Sequence, residues 1–243
     1  GYMFYFDDLY HTLWGIFLLI WANWYDCADG QLARMTGQKS LLGRILDGFA
    51  GDVWFFSIYF FICLRLNEEW GLWIWLLAAF AGLICHSKQC ALADYYRNVH
   101  IFFQKGADKC ELDSSVVQKE KMRKLSWKEA WFEKIYLFFY TRYTRSQEQM
   151  SPVCQHLLKA LKTKYGNTLP VELREEFRRG SKPLMKYTNI LTFDTRALVL
   201  FVVMLVKEPY LYFVFEITVL NVLFFYMRYK HENLCKNIEK TYC

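Results

Sequence analysis

Apolar runs of near-membrane length dominate this chain, and two neighbouring runs meet at a cluster of aspartates. Residues 9–25, 41–64, 70–103, 189–206 and 210–227 are rich in Leu, Ile, Val, Phe and Trp. A helix needs roughly 20 such residues to cross a bilayer, and several runs reach that length only with their polar residues included. Residues 1–6 read as the tail of one more such helix, closed by Asp7 and Asp8. Nine Trp, seventeen Tyr and twenty-one Phe among 243 residues exceed the needs of an ordinary soluble domain. They suit wide aromatic belts at membrane interfaces.

Against that background the polar residues between positions 26 and 52 stand out. Asp26, Asp29, Gly30, Ala33 and Arg34 end one apolar run, and Gly43, Asp47, Gly51 and Asp52 begin the next. A charge at membrane depth is expensive and is usually functional. Asp26 and Asp29 are three residues apart, so on a helix they project from one face. Two antiparallel helices could aim these carboxylates and those of Asp47 and Asp52 at one point. Clustered oxygen ligands suit hard cations, Mg²⁺ or Mn²⁺.

The spacing Asp-x2-Asp-Gly-x2-Ala-Arg-x8-Gly-x3-Asp, met here from Asp26 to Asp47, resembles the signature of the CDP-alcohol phosphotransferases. Seven residues at seven set offsets make this a specific match. The family pattern places a fourth aspartate four residues after the third. Here that position is Gly51, and Asp52 follows one step later. The resemblance implies an all-α integral membrane enzyme with a six-helix transmembrane bundle, of which the first helix is mostly absent from this chain. It implies displacement of CMP from a CDP-linked substrate by an alcohol, and a homodimer. Asp26, Asp29 and Asp47 are then the metal ligands, with Asp52 as a fourth ligand and the general base. Asp29, Gly30, Ala33, Arg34 and Gly43 hold the CDP group. Chemistry agrees: two divalent cations can neutralise a pyrophosphate and orient its transfer, Arg34 can pair with phosphate, and small residues admit a nucleotide close to the backbone. The competing readings are helix-end aspartates and glycines that serve helix packing. In a regular helix Asp52 turns away from the face of Asp47. A π-turn around residues 48–51 would bring it back and is expected here.

Charge orients the chain. Residues 66–69 and 207–209 are poor in net positive charge, whereas Arg34, Lys39 and Arg44, residues 104–188 and the tail after Arg228 are basic. The positive-inside rule places the basic segments, and with them the aspartate cluster, on the cytoplasmic side. The formal charge of +6 therefore points to cytoplasmic loops and anionic lipid rather than nucleic acid. The chain opens at Gly1 rather than Met and shows no signal peptide, so a segment is expected upstream. Eight cysteines without metal-finger spacing read as free thiols.

Three stretches organise the whole: 1–103 with the motif, a basic helical insertion at 104–188, and 189–243 with the last two spans and a tail. The insertion holds eighteen Lys/Arg against ten Asp/Glu and exceeds what the family usually carries at this point. Ser126 and Glu129 fit a capping box, and Trp127, Trp131, Ile135, Phe138 and Phe139 recur at helical spacing. That spacing predicts an amphipathic helix, lying on the membrane surface or packed against the other loop helices. Further helices are expected over 151–165 and 170–179, ended by Gly166 and Gly180.

Lys88, Arg97 and Arg196 are candidates for binding an anionic acceptor or donor phosphate, against an anchoring role by snorkelling. Asp94 and Asp194 are expected to partner those arginines. His11, His86 and His100 read as interfacial, and Glu216 as a hydrogen-bonded helix contact. The basic residues favour a phosphatidyl transfer from CDP-diacylglycerol to a polar, anionic acceptor such as an inositol phosphate. The alternative moves phosphoethanolamine or phosphocholine from a small CDP-alcohol to a lipid hydroxyl. Two rivals come from other classes. An ion-coupled transporter would show midplane acids and repeat symmetry, and a cation-regulated scaffold would leave the glycines and Ala33-Arg34 unexplained.

Overall fold

The computed structural model is all-helical, with no strand among the described residues. It describes every residue except 37–40, 107–109, 129 and 167, and gives 33–34 and 41–49 as backbone alone. A 3-10 turn at Tyr2–Tyr5 precedes α1 (Leu9–Thr36), α2 (Leu41–Trp70) and α3 (Leu72–Ala79). A π-helical turn at Phe80–His86 joins α3 to α4 (Ser87–Lys105). There follow α5 (Ser115–Lys124), α6 (Trp131–Met150), α7 (Pro152–Tyr165) and α8 (Val171–Ser181). After a 3-10 turn at Lys182–Leu184 come α9 (Met185–Ile190), α10 (Phe193–Leu205) and α11 (Tyr210–Phe215). A second π-helical turn, Glu216–Leu220, leads into α12 (Asn221–Tyr242).

The chain forms two compact units, Gly1–His86 with Ala197–Ile217, and Ser87–Arg196 with Thr218–Cys243. In the first unit, Asp8 caps α1: its carboxylate accepts the His11 N–H at 3.0 Å and meets the His11 imidazole at 2.6 Å, which holds the carboxyl below its usual range. α2 ends because Gly71 takes a positive φ of 53°, where a residue without Cβ reverses the chain at little cost. The core of this unit joins Phe4, Ile58, Ile62 and Ile74 to Leu200, Met204 and Phe213.

In the second unit α4 is the central element, burying Leu92, Tyr95, Tyr96, Val99 and Phe103. Tyr96 stacks on His231 of α12 at 3.9 Å between ring centroids, and Phe103 stacks on Phe177 of α8 at 3.8 Å. Residues 104–188 therefore share their core with the helices on either side of them in sequence. Carboxylates supply the missing helix caps. Glu232 of α12 accepts the Ser151 hydroxyl at 2.5 Å and the backbone N–H groups of Val153 and Cys154 at 3.0 and 3.2 Å. These are first-turn donors of α7 with no partner inside their own helix, and a negative charge there also suits the helix dipole. Glu148 serves the start of α5 in the same way, through the Ser115 N–H and hydroxyl.

Two local expectations need correction. Gly166 does end α7, with φ of 65°, but Gly180 lies inside α8. A Cβ at Gly180 would approach Leu234 of α12 to 2.4 Å, so this glycine marks a close helix crossing and not a stop. The Ser126 hydroxyl accepts the Lys128 N–H at 3.3 Å, a local turn, while α6 begins at Trp131 with Ala130 at its N-cap position. Glu129, the other half of the expected capping box, is outside the described residues.

Among the described residues three helices are long and apolar enough to cross a membrane: Leu72–Lys105, Val171–Leu205 and Tyr210–Tyr242. They contain the run at 210–227 and nearly all of those at 70–103 and 189–206. The runs at 9–25 and 41–64 lie in α1 and α2, helices of 28 and 30 residues.

Candidate functional site

Motif residues occupy the C-terminal part of α1 and the N-terminal part of α2. α1 carries Asp26, Asp29, Gly30, Ala33 and Arg34, and α2 carries Gly43, Asp47, Gly51 and Asp52. Asp26 and Asp29 share one face of α1, half-buried and exposed respectively. The side chains of Ala33, Arg34 and Asp47, and the surroundings of Gly43, fall outside the described ones. No group of three or more metal-ligating side chains is found among the described residues. The two carboxylates on one accessible helical face nevertheless have the oxygen chemistry that a hard cation requires.

α2 is α-helical through residues 48–51, so the expected π-turn is absent there. A regular helix turns Asp52 about 140° away from Asp47 around the axis. Gly51 has the angular position of the family's fourth aspartate, and a Cβ added to it would meet nothing within 4 Å. Packing therefore does not impose a glycine at that position. The two π-helical turns lie elsewhere, and each bears one member of a polar cluster that the sequence reading did not assemble.

Asp52, Phe55 and Tyr59 follow at i, i+3 and i+7 on one stripe of α2. The ring of Phe55 sits 4.2 Å from that of His86, the last residue of the first π-turn. The Tyr59 hydroxyl donates to Glu216 Oε2, at the start of the second. His86 Nδ1 lies 3.2 Å from Glu216 Oε1 and 3.5 Å from the Tyr59 hydroxyl. Glu216 is fully buried, where a carboxylate without donors would be very costly. Two donors from separate helices remove that cost and lock α2 in rotation. His86 is thus a partner of a buried acid and not an interfacial residue. Glu216 within an apolar run was the available sequence signal; the π-turns that aim the pair left no trace in it.

The basic candidates belong to the second unit. Lys88 is exposed on α4. Arg97 donates to Asn189 Oδ1 at 3.2 Å. Arg196 is fully buried and donates to Gln89 Oε1 at 2.6 Å, while Gln89 donates in turn to Asn221 Oδ1 at 2.8 Å. Asp94 lies within the field of Arg97, as expected, and accepts hydrogen bonds from Asn98 at 3.1 Å and from Tyr143 and Gln147 of α6, both at 3.3 Å.

Comparison with known proteins agrees with the motif. Residues 1–99 match the family model described as CDP-alcohol phosphatidyltransferase. No curated protein and no solved structure matches the chain.

Proposed function

We propose, from the match of residues 1–99 to the CDP-alcohol phosphatidyltransferase family model, that this chain is a transferase of phosphatidyl or phosphoalcohol groups, with the following substrate and assignment of roles. The chain transfers a phosphatidyl group from CDP-diacylglycerol to the hydroxyl of a polar, anionic acceptor such as an inositol phosphate, and releases CMP. The observation that carries this reading is the unbroken spacing from Asp26 to Asp47 across the end of α1 and the start of α2.

Asp26, Asp29 and Asp47 would hold Mg²⁺ or Mn²⁺. Two such cations, when bound, neutralise the pyrophosphate and the charge that builds on departing CMP. Arg34 pairs with a phosphate of the CDP group, and Gly30, Ala33 and Gly43 let the nucleotide approach the helices. A general base must accept the proton of the acceptor hydroxyl; the new O–P bond forms as the P–O bond to CMP breaks. The Tyr59–Glu216–His86 contacts hold the stripe of α2 that bears Asp52. Lys88 and Arg97 supply positive charge for the acceptor or donor phosphate. The fold is the six-span bundle of the family with its site open to the cytoplasm, in a homodimer.

One observation favours a second reading. Arg196 is buried in the Gln89 network and Arg97 is bonded to Asn189, which removes part of the argument for an anionic acceptor. A small CDP-alcohol donor with a lipid hydroxyl as acceptor then serves equally well.

The test is CMP release by the purified protein in mixed micelles with Mg²⁺ or Mn²⁺. CDP-diacylglycerol is compared with CDP-ethanolamine and CDP-choline, each with a pool of acceptors. Release with CDP-diacylglycerol alone supports phosphatidyl transfer. Release with a CDP-amino-alcohol alone replaces it by the second reading, and silence with every donor refutes both.

A further inference from the structure

α6 has two faces of opposite character. Leu137, Thr144 and Gln147 are buried, and Gln147 donates to the Ala91 carbonyl of α4 at 2.9 Å. On the outer face Trp131, Phe132, Ile135, Phe138 and Phe139 recur at three- and four-residue spacing and remain 40–65% exposed. Trp127, just before the helix, is 62% exposed. A contiguous aromatic strip of this kind is what marks an interaction site on a protein surface. From Trp131 to Phe139 it covers about 12 Å of helix, too little to cross a bilayer.

Cations border the strip. Lys134 Nζ lies 4.8 Å from the centroid of the Trp127 ring, and the Arg142 guanidinium 5.1 Å from that of Phe138. Three occupants could cover such a face: lipid, a second copy, or another protein. A second copy meeting it face to face would bring the same basic border against itself, and like charges across an interface are costly. α6 is moreover anchored on α4, part of the membrane-crossing helix Leu72–Lys105. Aromatic side chains beside Lys and Arg suit the boundary between acyl chains and anionic headgroups.

We propose that the outer face of α6 is a membrane-interface seat, with its aromatic strip in the acyl–headgroup boundary and Lys134 and Arg142 on anionic lipid headgroups. This holds whichever donor the enzyme uses, since it depends on the membrane and not on the chemistry. The inner face packs on the protein while the outer face takes lipid, so both roles expected of an amphipathic helix fall to one element.

The test uses the full chain in nanodiscs, with p-benzoylphenylalanine placed at Phe139 or, as a control, at exposed Lys159 on α7. Discs of phosphatidylcholine are compared with an equal mixture of phosphatidylcholine and phosphatidylglycerol, and photoadducts are read by intact mass. The expected result is lipid adducts at position 139 well above the control. Their yield rises about fivefold in the anionic discs, and Arg142→Gln removes most of that rise. Because Arg142 is exposed, its replacement leaves the fold intact. Adducts mainly to a second copy, or a yield at 139 no higher than at 159, would overturn the seat. Equal yields in the two disc types would overturn the headgroup contact.

Discussion

The two units use their acids in opposite ways. In the second unit Glu148 and Glu232 close helix N-termini, and Asp94 is held by Asn98, Tyr143 and Gln147. Those carboxylates are committed to the fold. In the first unit Asp29 sits exposed on a long helix, while Asp8 caps α1 and Glu216 is enclosed by Tyr59 and His86. Exposed acids at the edge of an apolar run contribute little to stability, which makes ligand binding the better explanation for them. Burial and hydrogen bonding thus separate the acids proposed for the chemistry from those that hold the fold, although all are the same residue types.

Mutation can break that separation. Asp29→Asn is expected to have the largest effect, lowering CMP release by at least about 100-fold through loss of a metal ligand. The yield of folded protein should stay near normal, and undiminished turnover at low Mg²⁺ would remove Asp29 from the ligand set. Glu216→Ala leaves a buried hydroxyl and imidazole without their acceptor. It should lower stability by about 1–3 kcal/mol, read as a fall in Tm in detergent, with Glu216→Gln less harmed. Glu232→Ala should remove the α7 cap for about 1 kcal/mol and leave CMP release per folded molecule unchanged; a drop in turnover would mean that the second unit's acids also serve the chemistry. The smallest effect is expected at Asp8. Its carboxyl lies below the ordinary value when folded, so its support for the first turn of α1 is complete above that value. It fades as pH falls through the lowered one. Faster amide exchange at His11 and Thr12 at acid pH, absent in Asp8→Ala, is the check.

The motif behind the proposed site was legible because spacing is a one-dimensional property. The offsets from Asp26 to Asp47 named the family and the candidate ligands before any helix was placed. Glu216 was visible as an acid in an apolar run, yet its partners were not, since Tyr59 and His86 lie 157 and 130 residues away in sequence. Arg196 looked like an accessible cation and proved to be a buried donor to Gln89, because snorkelling and burial have the same one-letter code. Gly180 looked like a helix stop and marks the approach of Leu234.

What the sequence by itself determined is the all-helical character with apolar runs of near-membrane length, and the motif that goes with the family match over residues 1–99, since apolar run length and residue offsets survive without coordinates. The tertiary structure alone decided which polar groups are satisfied internally. It put π-turns at Phe80–His86 and Glu216–Leu220 instead of beside Gly51, and it divided α6 into a packed face and an open one. Helix rotation and long-range packing set those outcomes, and neither is written in any local window of the chain.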